Sequence, residues 1–280
     1  MTVLARAHHN PADDAYQAAV AAAHQKLQHA VVDTRAVRSS VSDSWQRSLK
    51  LHDTPEHVTT PATLPTHVLD EHRKTHPIIE VLPLLGTLLA PAHQVGLITA
   101  ISNHHGHLLW VDGAQQTRAQ AETIGFVPGA DWSEASMGTS APGAVLSTKA
   151  PAQIAGAEHF SYAVQKFYCS AVPLRHPSGS IVGMLDLTGS EAAVTPLAQA
   201  MLTTTARAIE QFWATHTFPH TAPVTLAATA RSPLIEVATG GPARIGQLRL
   251  SNRHAEILTI LDWNRTGLTA TQLAHELFGE

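Results

Sequence analysis

Val95-Gly-Leu-Ile-Thr-Ala-Ile-Ser102, then Asn103-His-His-Gly-His107, then Leu108-Leu-Trp-Val111 is the stretch on which the fold turns. The first segment is apolar and rich in strand formers, the His-Gly step at His104 to Gly106 makes a turn, and Leu108 to Val111 returns. That is a hairpin signal. Downstream, Cys169 to Leu174 and Ile181 to Leu187 form a second hairpin around Pro177-Ser-Gly179, with a short strand at Ala152 to Ile154 before it. Between the hairpins, Ala114 to Thr123 reads as a polar helix ending at Gly125. Gly138 to Lys149 starts as a loop and finishes as a helical turn. From Pro196 to Trp213 the spacing of Leu197, Met201, Ala208, Ile209 and Phe212 is helical.

Upstream of Pro91 the periodicity is helical throughout. Asn10 is placed to cap a first helix, with Pro11 at its first position and Asp13 and Asp14 where the helix dipole favours acid. Alanines then run to Ala30. A second helix follows Ser40, with Val41, Trp45, Ser48 and Leu49 on one side. His52 to Pro65 is rich in Thr, Pro and His and reads as a loop. A helix starts near Thr66, and Thr75 to Ala90 is helical again, with Pro83 kinking it or starting a new one. Strands therefore mostly neighbour strands, so the expected class is α+β, an antiparallel sheet flanked by helices.

Composition narrows the functions open to this chain. Of 280 residues, 44% are hydrophobic and 14% charged, enough to bury a core and unlike a disordered protein. A net charge of −4 gives no general attraction to nucleic acid or anionic lipid, although 19 histidines raise the charge near pH 6. Cys169 is the one cysteine, so no intrachain disulfide can form, which points to a reducing, cytoplasmic setting. Residues 1–10 lack a signal-peptide core. The most lipid-like run, Val81 to Ala92, is broken by prolines and too short for a span of roughly 20 residues. No membrane partner is expected.

Most catalytic signatures fail on inspection. Gly138-Thr-Ser-Ala-Pro-Gly143 resembles half a phosphate loop, but Ala144 and Val145 stand where Lys and Ser/Thr are needed. Ser140 lacks the spacing of a nucleophile elbow. Glu158-His159 is not a zinc helix, and His104, His105 and His107 read as a solvated turn. No metal, no cofactor and no enzyme activity are expected. Cys169 opens an apolar strand, where cysteine is usually a small buried hydrophobe; a redox role is the alternative. The aromatics Trp110, Trp132, Phe160, Tyr162, Phe167 and Tyr168 fit either core packing or an aromatic-lined pocket.

Four ordered runs carry a resemblance. Gly129-Ala-Asp-Trp-Ser-Glu-Ala-Ser-Met-Gly-Thr-Ser-Ala-Pro-Gly143, Gly156-Ala-Glu-His-Phe160, Cys169-Ser-Ala-Val-Pro-Leu174 and Gly183-Met-Leu-Asp-Leu-Thr-Gly189 resemble the GAF domain of bacterial regulators related to the acetoin-responsive activators. Ser44-Trp-Gln-Arg-Ser48 resembles the helix that precedes it. The likeness covers about residues 35 to 215. It departs at Ser140, where the family usually has Asn, and at Phe167-Tyr168, where Trp is common, so it implies a ligand site without naming the ligand. It implies a GAF-like sheet and a small-molecule effector held between that sheet and the Trp132–Gly143 loop. Trp110, Trp132, Met137, Thr139, Ser140 and Phe160 are then the expected ligand contacts.

The implied organisation is an N-terminal helical region (1–74), a GAF sensor (75–215), a linker (216–232) and a partial winged helix-turn-helix (233–280). In the last part, Leu234 to Ala238 and Gln247 to Leu250 read as strands, Ser251 caps a helix over Arg253 to Trp263, and Thr269 caps Gln272 to Phe278. The following recognition helix that would enter the major groove is not in the sequence. From His216 onward Arg231, Arg244, Arg249, Arg253 and Arg265 face Glu236, Glu256, Asp262, Glu276 and Glu280, which is no basic footprint. The expectation is therefore a truncated chain or a tail that has lost DNA binding. The function expected is a ligand-sensing transcriptional regulator, acting as a homodimer and reaching DNA through its C-terminal region if that is complete. The alternatives are a ligand-free dimerisation module and a single-cysteine redox sensor. Sulfoxide reductases built on this fold need more than one cysteine.

Overall fold

The computed structural model describes residues 10–58 and 60–216 and, towards the C-terminus, residues 235–236, 244–245, 248–249, 257, 260, 269, 272 and 273. The chain divides into two units, Met1–Pro219 and His220–Glu280. The first unit leads with helices α1 (Asp14–Gln25), α2 (Ser39–Leu51), α3 (Thr66–Thr75) and α4 (Leu82–Gln94). Strands β1 (Ile98–Asn103) and β2 (Leu108–Gly113) follow, then α5 (Gln115–Glu122), α6 (Glu134–Met137) and α7 (Ala141–Thr148). Strand β3 (Ala152–Ala155), hairpin strands β4 (Tyr168–Arg175) and β5 (Ile181–Gly189), and α8 (Pro196–His216) complete it.

Both expected hairpins form, and β1 also pairs with β5, so the five strands run β2-β1-β5-β4-β3, every pair antiparallel. The α+β class read from the element order is the class observed. Each sheet face carries its own apolar layer. Ile98, Ala100, Cys169, Ala171 and Met184 share one cluster with Val20 and Leu27 of α1, Val41 and Trp45 of α2, and Val145 of α7. Val172, Leu174, Leu185 and Leu187 share the other with Leu85 and Leu89 of α4 and Leu202, Ile209 and Trp213 of α8. Covering both faces explains why β1 is buried at all six residues, its Thr99, Ser102 and Asn103 included, where a half-exposed strand would alternate.

Three local expectations are corrected. Helix α1 begins at Asp14, because Asp13 accepts the Tyr16 amide at 2.9 Å and so serves as the cap. Asn10 instead accepts the Ala12 amide in the turn before it. Helix α4 runs through Pro91 to Gln94. A proline removes only its own helical donor, and the buried Leu89 and Ala92 on either side hold the turn against the core. Residues 134–137, read as loop, form the single turn α6.

In the second unit three short strands, β6 (Ile235–Glu236), β7 (Arg244–Ile245) and β8 (Leu248–Arg249), pair antiparallel in that order. β6 and β8 fall within the two expected strands; β7 lies outside them. Thr269 and Gln272 satisfy each other: the Gln272 amide donates to Thr269 Oγ1 at 3.3 Å and the Thr269 amide donates to Gln272 Oε1 at 2.9 Å. That is the reciprocal cap the sequence suggests at this point. The expected linker from residue 217 on, and all of the expected 253–263 helix except the helical Ile257 and Ile260, lie outside the described residues. Among the described residues no single helix is long and apolar enough to cross a membrane.

Trp45 is fully buried, and its Nε1 donates to the Glu158 carbonyl at 2.8 Å. Trp45→Ala should lower unfolding free energy by about 3–5 kcal/mol, measured by chemical denaturation. A loss under about 1 kcal/mol would show that α2 is not part of the core.

Candidate functional site

The quoted sequence runs meet in space, and two buried carboxylates join them. Glu134, 4% exposed, accepts from Arg47 Nε at 2.7 Å, Arg47 Nη2 at 2.6 Å, Ser44 Oγ at 2.5 Å and Ser147 Oγ at 2.9 Å. Glu158, 0% exposed, accepts from Arg38 Nε at 2.8 Å, Arg38 Nη2 at 2.6 Å, the Tyr16 hydroxyl at 2.7 Å and the Ala155 amide at 2.8 Å. A carboxylate offers about four lone-pair sites, and here both carboxylates are filled, so each acts as a clamp on the N-terminal segment. Burial and the neighbouring Glu158 charge push the Tyr16 hydroxyl up to about 12, so it stays a donor.

The loop after Glu134 is shaped by its own sequence. Asp131 Oδ1 accepts the Ser133 amide at 2.9 Å and sets the entry to α6. Gly138 has φ of 65°, and a Cβ there would lie 2.6 Å from the Phe160 ring. Only glycine fits that position. Ser140 then caps α7 by accepting the Gly143 amide at 3.2 Å. Ser44 has one proton and gives it to Glu134, so Thr139 donates to Ser44 at 2.8 Å and accepts from Ser48 at 3.0 Å.

Between this loop and the sheet lies a small cavity of about 10 Å³. Trp132, Ser140 and Pro142 line it from the loop and α7. Ile124 and Phe126 line it from the segment after α5, and His159, Val164 and Phe167 from the segment before β4. Cys169 and Thr188 form its floor on the sheet. That volume holds a single water molecule at most. No charged side chain lines it. His159 is fully buried and its Nδ1 lies 3.0 Å from the Gly156 carbonyl, which fixes the proton on that nitrogen. Its Nε2 has no protein partner. Burial holds His159 neutral down to about pH 4, against the pull of the Gly156 carbonyl.

Of the expected contacts, Trp132 and Ser140 line the cavity. Thr139 is spent on Ser44 and Ser48, Met137 is packed in the core, and Phe160 is wedged against Gly138 with its ring 5.7 Å from that of His52. Trp110 lies on the opposite face of the sheet, half-buried under the Arg73 guanidinium at 5.9 Å. A strand residue's face is set by parity, and Val111, one position on, packs against the cavity-side cluster instead. Among the described residues no group of three or more His, Cys, Asp or Glu could hold a metal. Cys169 is buried, and burial together with Asp186 pushes its thiol well up, the reverse of the exposed low-pKa thiols that oxidise readily. Residue reasoning missed His159 and Thr188. The alternation Met184-Leu-Asp-Leu-Thr188 puts two polar groups on one strand face, and that was the available signal.

The profile of the MimR N-terminal domain family matches residues 15–211, which runs from α1 into α8 and takes in both clamps and the cavity. The chain belongs to this family. An uncharacterised 47.3 kDa protein from the thcA 5′ region of Rhodococcus erythropolis is 37% identical over 250 residues, 87% of this chain and 56% of that protein. The acetoin dehydrogenase operon transcriptional activator AcoR of Bacillus subtilis is 31% identical over 183 residues, 65% of this chain and 30% of the activator. The resemblance to acetoin-responsive activators therefore holds, and the relatives with a named function are regulators of transcription, not enzymes. The chain spans little more than half, or about a third, of the length of these relatives. The E. coli DhaR(N)–DhaL complex structure aligns with a TM-score of 0.57 at 20% identity, over 64% of this chain and 61% of that one, a likeness of fold.

Two measurements test the site's electrostatics. Arg38→Ala leaves Glu158 buried without its countercharge and should cost about 3–5 kcal/mol, with Arg38→Lys recovering only part, because Lys cannot make both bonds. The pH dependence has two opposed limbs. Burial pushes Asp186 up to about 7, so the fold keeps a proton that the unfolded chain releases above 3.8, and this lowers stability as pH rises between those values. His159 resists protonation down to about 4, whereas the unfolded imidazole charges below 6.5, so its contribution falls as pH drops through that window. Asp186→Asn should therefore leave stability rising with pH from about 4 to about 6.5, at up to about 1.4 kcal/mol per unit, in denaturation series. An unchanged pH profile in that variant would contradict this assignment.

Proposed function

We propose that residues 10–216 are the sensor part of a cytoplasmic transcriptional regulator, and that a small, uncharged, largely apolar molecule binds in the cavity beneath Trp132 and Ser140. The observation that carries this reading is His159: a fully buried imidazole at the cavity wall with an unpartnered Nε2. Such a group costs free energy unless something donates to it. With no charged side chain on the walls, a carboxylate or ammonium ligand would be left unpaired. The apolar lining of Ile124, Phe126, Val164 and Phe167 suits a short carbon skeleton.

The cavity is too small for a ligand as it stands, so binding must open it. A ligand that binds only the opened arrangement shifts the population toward it, and that differential affinity is the signal. The walls that must give are the segments after α5 and before β4. The clamped loop 131–143 is anchored too firmly to move alone. We further propose that the response reaches DNA through the second unit and that the active form is a dimer. The named regulators in the family, which act on acetoin dehydrogenase and propane 2-monooxygenase operons, support this reading.

A thermal-shift screen of small neutral alcohols and diols, with ketones and aldehydes as the series lacking a donor for His159, tests it. A ligand at 100 times its Kd should stabilise the protein by about 2.7 kcal/mol, several degrees in Tm, and Phe167→Ala should admit larger members of the series. If no compound in the series shifts Tm in either protein, the sensor reading fails.

A further inference from the structure

Behind the cavity floor lies a chain of polar groups that the clamps do not use. Asp186 stands mid-strand in β5, 0% exposed, with Ala100 of β1 and Ala171 of β4 opposite it. Its Oδ2 is 2.6 Å from Thr188 Oγ1, and the same Oγ1 is 3.1 Å from Cys169 Sγ. Oδ1 of Asp186 has no protein partner.

A hydroxyl has one proton to donate, so Thr188 cannot donate to both neighbours. Two arrangements then follow, according to whether Oδ2, the oxygen facing Thr188, carries a proton. With Asp186 ionised, Thr188 donates to the carboxylate and Cys169 donates its S–H to Thr188. With Asp186 protonated, the carboxylic acid donates to Thr188, Thr188 donates to Sγ, and the S–H is released. Cys169 and Thr188 both line the cavity, so the released S–H faces whatever occupies it.

We propose that Cys169 is a switchable hydrogen-bond donor to the cavity's occupant, turned on when Asp186 holds a proton and off when it does not, with Thr188 as the link. The occupant it favours carries an uncharged acceptor oxygen, as in a carbonyl or hydroxyl compound. The proposal rests on the sensor reading for the occupant, but not for the switch itself.

The surroundings place the switch in a useful range. Burial raises Asp186 to about 7, with the Thr188 bond pulling the other way. The thiol is raised far enough to keep its proton in both arrangements. The β1 and β4 residues opposite Asp186 are alanines, and α7, packed on β4 and β5, brings Ala, Pro, Gly, Ala and Val at 141–145. None of these titrates. The titratable groups involved are Cys169 itself and, on the cavity wall, His159, which is neutral down to about pH 4.

Because Cys169 is the one cysteine of these 280 residues, the infrared S–H stretch of this chain reports this site alone. Between about pH 5 and about pH 9 the S–H band should change frequency, and a buried carboxylic C=O band should fade with the same midpoint. In Asp186→Asn the amide donates to Thr188 permanently, so the S–H band should stay at its acid position. In Thr188→Val, close in shape, it should not respond to pH. An invariant band in the parent protein, or a shift that persists in Asp186→Asn, overturns the switch. Either result leaves the sensor reading standing, and a ligand screen that finds nothing leaves the switch standing.

Discussion

Glu134 and Glu158 are carboxylates that water cannot reach, and the arrangement of the first unit follows from satisfying them. Removing a carboxylate from water costs several kcal/mol unless charge and hydrogen bonds replace it. Here the replacement comes largely from the N-terminal segment. Arg38 precedes α2, Ser44 and Arg47 lie on it, and Tyr16 lies on α1. One helix thus reaches both carboxylates, with Trp45 buried between them and bonded to the Glu158 carbonyl. Replacing such pairs with hydrophobes can be neutral for stability, whereas removing one partner leaves a buried charge uncompensated. The Trp132–Gly143 loop is anchored through Glu134 and Thr139, and its backbone accepts the Phe160 amide at the Thr139 carbonyl at 3.0 Å.

That constraint explains which parts were legible in the sequence. The two hairpins and the long C-terminal helix were readable because strand and helix periodicities are local properties. The central pairing of β1 with β5 is not local: it joins segments about 85 residues apart, and nothing in either strand's pattern names its partner. The conspicuous Trp-Ser-Glu and Ala-Glu-His-Phe runs invited a ligand reading. Much of their distinctiveness belongs to the clamps: Glu134, Thr139 and Glu158 bond to the N-terminal segment and not to a cavity. Trp110 was misplaced because an aromatic residue in a strand reveals its parity only once the strand is aligned with its neighbours. His159 was passed over because a histidine inside a motif shows neither its burial nor its tautomer until the Gly156 carbonyl is in place.

The rigid and the yielding parts of the cavity are separate. Its ceiling is tied to the clamps through Trp132 and Ser140. Its floor is on strands β4 and β5. The flanking segments, carrying Ile124, Val164 and Phe167, are held more lightly, by the Trp132 Nε1 bond to the Gly125 carbonyl at 3.2 Å and the Gly156 amide bond to the Phe167 carbonyl at 3.0 Å. In the proposed sensor, a ligand enters by moving a small part of the structure while the polar network behind it holds. The Asp186–Thr188–Cys169 chain then gives that fixed floor two hydrogen-bonding states without any change of backbone.

The central claim is that the N-terminal helices are part of the sensor and not an appendage. Native-state hydrogen exchange on the full chain tests it most directly, by comparing the opening free energy of the α1 and α2 amides with that of β1, β4 and β5. The two clamps predict equal opening free energies, with all these amides exchanging in one cooperative unit. If the α1 and α2 amides exchange through an opening several kcal/mol cheaper, while the sheet stays protected, the clamps do not couple them and the account is wrong.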